Sequence, residues 1–151
     1  FLLKSLSTYV TVLIKVWPKQ MTNLDNSINP SDINVSVETE YLANQSTPDE
    51  NQFAFAYHIC ITNNSSYGVV LMHRHWIIID GNEQRQEVKG AGVIGEQPLI
   101  PTNGKFQYSS GTVLNTPIGT MQGSYQMVDE FGSALEVPIE PFLLALPNQV
   151  H

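Results

Sequence analysis

From Ile33 to Leu146 the apolar residues recur mainly at every second position, with no sustained spacing of three or four. A period of two belongs to a strand with one face buried, whereas an amphipathic helix needs a spacing near 3.6. INVSVETEY sets Ile33, Val35, Val37, Thr39 and Tyr41 on one face and Asn34, Ser36, Glu38 and Glu40 on the other. QFAFAYHICIT points Phe53, Phe55, Tyr57, Ile59 and Ile61 inward and Ala54, Ala56, His58, Cys60 and Thr62 outward. VVLMHRHWIIID is a long strand and QRQEVK its return partner, and Phe106 and Tyr108 open a further alternation. TMQGSYQMVD is the next strand, after which Leu135, Val137 and Ile139 alternate with Glu136, Pro138 and Glu140. Pro141 has no N–H to give a ladder, which places an edge or a bulge there. Past it the inward set moves to Phe142, Leu144 and Leu146.

Turn chemistry separates these runs. NQSTPDEN, NNSSYG and DEFGS read as loops, and Asp80-Gly81 and Asn103-Gly104 as tight turns whose positive φ the glycine would accept. About seven or eight antiparallel strands in a chain of 151 residues predict one all-β domain. The expected fold is an immunoglobulin-like or fibronectin-type-III-like β-sandwich, with a small barrel as the alternative. Cys60 is the single cysteine, so an intrachain disulfide is impossible. That fits a reducing compartment and a cytoplasmic location.

The first twenty residues differ from the rest. They carry Lys4, Lys15 and Lys19, no acidic residue, and an apolar run that Lys4 and Lys15 interrupt. A membrane-spanning helix needs ~20 apolar residues, and WPKQ offers no small-residue cleavage site for a secretory signal. The expectation is that the native protein starts at Met21, against an anchor or an extra strand. Residues 1–30 are then an extension and a flexible lead-in, and 31–151 the folded domain. From Met21 onward four basic residues face all 14 acidic ones, a net charge of −10. So acidic a surface repels phosphate backbones and argues against nucleic acid as a partner.

Three patterns invite chemistry. GAGVIG, residues 90–95, fits G-x-G-x-x-G, whose backbone can approach a pyrophosphate. The strand–loop–helix setting is missing, because Pro98 and Pro101 follow closely and nothing helical begins there. A structural loop is the plainer expectation, with an anion nest of backbone N–H groups beside it. His73 and His75 fall on one face of a strand, a spacing that can bring two imidazoles to one metal ion. Cys60, His58 and Glu87 are candidates for the third ligand, and hydrogen-bonded structural histidines are the plainer expectation. Trp76 is expected in the core, and Arg74 beside it as an ion-pair partner or a stacked cation. The carboxylate pairs Asp49-Glu50, Asp129-Glu130 and Glu136 with Glu140 lie in turns or on outward faces and are expected to be solvated. No G-x-S-x-G, H-E-x-x-H or C-x-x-C occurs, and Cys60, mid-strand, is expected to be inert.

RHWIIID (74–80), EVKGAGVIGEQPLIP (87–101), YSSGTVLNTPIGTMQGSYQMVD (108–129) and IEPFLLALP (139–147) together resemble the bacterial ApaG family. The similarity runs over roughly residues 31–151 and includes the Arg-His-Trp strand and the glycine loop at Gly90, Gly92 and Gly95. The resemblance implies a fibronectin-III-like sandwich, a domain also found in F-box proteins, and no enzymatic activity, catalytic residue or cofactor. It implies an association with cobalt resistance and magnesium efflux, exerted by a non-catalytic binding module through a protein partner. Gly90, Gly92, Gly95 and Glu96 are the candidate contact. The alternative is an accessory protein that binds a nucleotide or pyrophosphate at 90–95, and direct metal sensing through His73 and His75 is a third reading. No membrane insertion is expected, and a homodimer is left open.

Overall fold

The structure is a computed structural model that describes residues 28–149. The expected extension and start at Met21 lie outside the described residues. Eight strands follow one another: β1 (Ile33–Tyr41), β2 (Phe53–Asn63), β3 (Val69–Asp80), β4 (Arg85–Ala91), β5 (Leu99–Ile100), β6 (Lys105–Leu114), β7 (Ile118–Asp129) and β8 (Ala134–Ala145). All pair antiparallel. One sheet has the order β1-β2-β6; the other has the order β4-β3-β7-β8, with β5 added on β3. The described helices are 3₁₀ turns of three residues each, and none is long and apolar enough to cross a membrane.

The predicted sandwich is therefore present, and the inward faces meet as the alternation requires. Phe55, Ile59 and Ile61 of β2 face Leu71 of β3, Met127 of β7 and Val137 of β8, all 2% exposed or less. Trp76 sits at the centre, with Tyr57 5.5 Å away, and Tyr125 and Phe142 edge-on to it at 6.2 and 5.9 Å. Such tilted contacts set the positive ring edge against a negative face. Tyr108 of β6 reaches across the layer so that its hydroxyl bonds that of Tyr125. Burial pushes both phenols well above their ordinary value. Each hydroxyl satisfies the other, so neither is an orphan in the apolar layer.

Two bulges adjust the period. The register of β3 against β7 skips at Met72, so Val69 and Leu71 point inward but Trp76 and Ile78 take over on the opposite parity. The register of β7 against β8 skips where Glu140 and Pro141 face Gln122, the break expected at that proline, and Leu144 is buried beyond it. Pro138 and Pro141 are tolerated because β8 is an edge strand.

Other expectations need correction. The hairpin after β3 takes its positive φ at Glu83 (63°) and the later turn at Asn103 (62°), not at Gly81 or Gly104. The first loop is wider than a two-residue turn: Asp80 Oδ1 accepts from the N–H groups of Asn82 and Gln84. Gly81 is small for a different reason, because a Cβ there would lie 3.2 Å from Thr116 Oγ1. Thr39 is exposed, since β1 is an edge strand and its hydroxyl reaches sideways to the Leu143 carbonyl of β8 at 3.3 Å. Ala54 is buried although it points outward, because the 42–52 loop folds over it, with Ala54 N–H on Ser46 Oγ. Ile28, in the stretch read as lead-in, already joins the core.

Gly123 lies in β7, between β3 and β8, where a Cβ would stand 1.9 Å from the His75 carbonyl oxygen. Gly123→Ala is expected to lower the unfolding free energy by about 3 kcal/mol. Gly95→Ala, at φ 80° with open space around it, should lose only about 1 kcal/mol. Urea unfolding of the two variants checks this order, and equal losses would refute the packing argument.

Candidate functional site

The glycine loop is built on the bulge. In a regular ladder Met72 would have a partner on β7; as the extra residue it has a free carbonyl. That carbonyl accepts from Gly92 N–H at 2.8 Å and from Gln97 Nε2 at 2.9 Å, while Pro98 C=O takes the Leu71 N–H at 3.0 Å. Between these anchors Val93 and Glu96 exchange two backbone bonds of 2.8 and 2.9 Å, closing a tight turn with Ile94 and Gly95 at its tip.

The three glycines do three separate jobs. Gly92, at φ 60°, would place a Cβ 2.0 Å from the Glu96 carbonyl oxygen. Gly95, at φ 80°, supplies the left-handed backbone of the tip. Gly90 has neither role. It lies in β4 opposite Arg74, whose guanidinium carbon and both terminal nitrogens would all be 2.8 Å from a Cβ at that position. The guanidinium thus lies flat over the bare backbone, and its Nη1 donates at 3.0 Å to both Ala91 C=O and Gly92 C=O. Arg74 was expected as an ion-pair partner or a stacked cation. It forms no ion pair among the described residues and instead pins the base of the loop.

A phosphate nest needs successive N–H groups that converge on one point. Here the N–H groups of Gly92, Val93 and Glu96 are all bonded within the chain. The tip instead carries an isoleucine. Ile94 holds φ 44° and is 56% exposed, and Leu99, after the loop, is 45% exposed. Sequence reasoning passed over Ile94 because the motif draws attention to its glycines. The available signal was an apolar β-branched residue between turn residues.

His73 and His75 share the outer face of the larger sheet, as expected. His75 Nε2 bonds Glu87 Oε2 across the β3–β4 pair, and this bond holds the Glu87 carboxyl below its ordinary value, with smaller help from Lys89. No group of three or more His, Cys, Asp or Glu side chains suited to a metal forms among the described residues. Cys60 and His58 lie on the other sheet, so they cannot complete a site with His73 and His75.

His58 has its own neighbours, which sequence reasoning also missed. Its Nδ1 is 2.6 Å from Ser109 Oγ of β6 and its Nε2 3.2 Å from Glu40 Oε1 of β1. A shallow groove of about 370 Å³ runs beside it, lined in part by Glu38, Cys60 and Gln107. The serine–histidine–carboxylate order is that of an activated nucleophile. The row is a polar stripe on the outer face of the smaller sheet.

Among the carboxylate pairs, Asp49 and Glu50 are exposed as expected. Asp129 is not: it is 2% exposed, and its Oδ1 accepts from the N–H groups of Phe131 and Ser133 to shape the β7–β8 turn. Burial raises its pKa against those hydrogen bonds, which lower it.

The His75–Glu87 pair gives a pH signature. The folded-state value of Glu87 is depressed, so its stabilisation is present above pH 4.5 and lost as pH falls through the folded value. Glu87→Gln is expected to melt slightly below the parent above pH 4.5 and to converge with it in acid. A parent advantage that grows on acidification would contradict the pairing.

The matrix of relatives agrees with this architecture. A model of the ApaG domain family (DUF525) matches residues 43–129. The chain is 48% identical over 131 residues to the ApaG protein of Bordetella pertussis, covering 87% of this chain and 100% of that one. It is 51% identical over 119 residues to the ApaG protein of Pseudomonas fluorescens Pf-5, covering 79% and 94%. A crystal structure of the ApaA protein from Bordetella pertussis superposes with a TM-score of 0.75 at 51% identity, over 77% of this chain and 94% of that one.

Proposed function

The chain belongs to the ApaG family, and on that premise we propose that it is a non-catalytic binding module that serves cobalt resistance and magnesium efflux through a protein partner. The contact is the 90–96 loop, with Ile94 as its apolar anchor and Glu96 at its flank. One observation carries this reading: a β-branched side chain sits at φ 44° and faces solvent. Left-handed backbone costs such a residue about 1–2 kcal/mol, and a side chain 56% exposed gains little burial to offset it. Strain with no structural return collects where a surface must be presented to something else. The loop around Ile94 is tied at both ends and across its neck, so the tip is preorganised, which lowers the entropy lost on binding.

Nucleotide binding at the same loop is the weaker reading, because three of its N–H groups, those of Gly92, Val93 and Glu96, are already bonded within the chain. Direct metal sensing through His73 and His75 lacks a third ligand among the described residues.

Ile94→Gly is the decisive variant. Relief of the positive φ should leave the protein as stable as the parent or about 1 kcal/mol more so, while loss of the anchor should abolish rescue of cobalt tolerance in a host lacking its own copy. A thermal melt and a growth assay read the two effects separately. Full rescue by Ile94→Gly would overturn the loop tip as the contact.

A further inference from the structure

Among the described residues, and apart from the two-residue β5 beside β3, the edge strands are β1 and β6 in one sheet and β4 and β8 in the other. Natural sheets protect edges with charges, prolines, bulges or cover. β8 carries Glu136, Pro138, Glu140 and Pro141 and a bulge. β4 carries Arg85, Glu87 and Lys89. β1 carries Glu38 and Glu40, and Thr39 ties it to β8. β6 is ten residues long, KFQYSSGTVL, with no proline, no acidic residue and no charge after Lys105.

Among the described residues no strand pairs with the outer edge of β6, and the groups that point there follow from the register. Ala54 of β2 sends its N–H to Ser46 Oγ and its carbonyl to Leu42 N–H, on the β1 side. Asn63 sends its N–H to the Gly104 carbonyl, on the β6 side. Alternation then turns the odd residues of β2 toward β6, and each is in register with an even residue of β6, such as Ile59 with Tyr108. The main-chain groups of Gln107, Ser109, Gly111 and Val113 are left pointing out of the sheet. Val113 is also 55% exposed.

We propose that this edge pairs with β6 of a second copy about a two-fold axis, joining two three-stranded sheets into one of six. Side chains opposite each other in an antiparallel pair must share a face, so the axis falls on a residue rather than between residues. Ser109 and Ser110 are the central choices. Either sets Lys105 against an uncharged residue of the other strand, Val113 or Asn115. The strip is thus self-compatible in charge, on a chain whose formal charge of −7 opposes association elsewhere. A second copy fits it because both edges present the same unprotected donors and acceptors at matched spacing. The surface is distinct from the 90–96 loop, so this inference and the proposed function fail independently.

Sedimentation velocity of the full chain is expected to show a monomer–dimer equilibrium that shifts toward dimer as salt rises, because screening removes the repulsion while the contact is neutral. Gln107→Pro removes one outward N–H without touching the β2 ladder and should weaken association by roughly tenfold or more, with the thermal melt retained. In a Cys60→Ser background, Ser109→Cys or Ser110→Cys should form an intermolecular disulfide under mild oxidation, and which one does so reports the register. A monomer at all concentrations into the millimolar range, with no crosslink from either cysteine, would overturn the proposal.

Discussion

One extra residue organises this domain. Met72 breaks the pairing of β3 with β7 and reverses which side chains of β3 face inward. Ahead of it Val69 and Leu71 enter the core; behind it Trp76 and Ile78 do. Without the reversal, unbroken alternation from Leu71 would turn His73 and His75 into the apolar layer and Trp76 out of it. The same insertion frees the carbonyl that accepts from Gly92 and Gln97. Core packing and loop placement therefore depend on a single irregularity, in keeping with the habit of bulges to re-aim strands beside functional surfaces.

The glycine motif illustrates how one sequence pattern can serve different physics. In a dinucleotide fold its glycines clear a path for a phosphate. Here Gly92 avoids a backbone carbonyl, Gly90 seats a guanidinium and Gly95 completes a tip. Arg74 donates into the loop where a nest would accept an anion. At its tip the loop presents an aliphatic side chain to solvent.

Much of the fold was legible because burial on one face writes itself into alternate residues. β2 and β7 could be read directly, and Pro141 announced its bulge by lacking an N–H. The bulge at Met72 could not be read, since VVLMHRHWIIID is apolar at both parities around it. Turn positions were legible but their strained residues were not: Glu83 and Asn103 take the left-handed backbone beside glycines that do not need it. The site was half legible. GAGVIG marked the loop, while Ile94 and the Arg74 seat depend on dihedral angles and on contacts between strands. Ser109, His58 and Glu40 come from three different strands, and only register brings them together.

The Thr39 hydroxyl meets the Leu143 carbonyl across 104 positions of chain, where the first strand lies beside the last. During synthesis β1 leaves the ribosome long before β8 exists, so its edge waits uncovered while most of the domain is made. The contact between β1 and β8 can form only once the last strand has emerged, so a long-range pairing completes the sandwich.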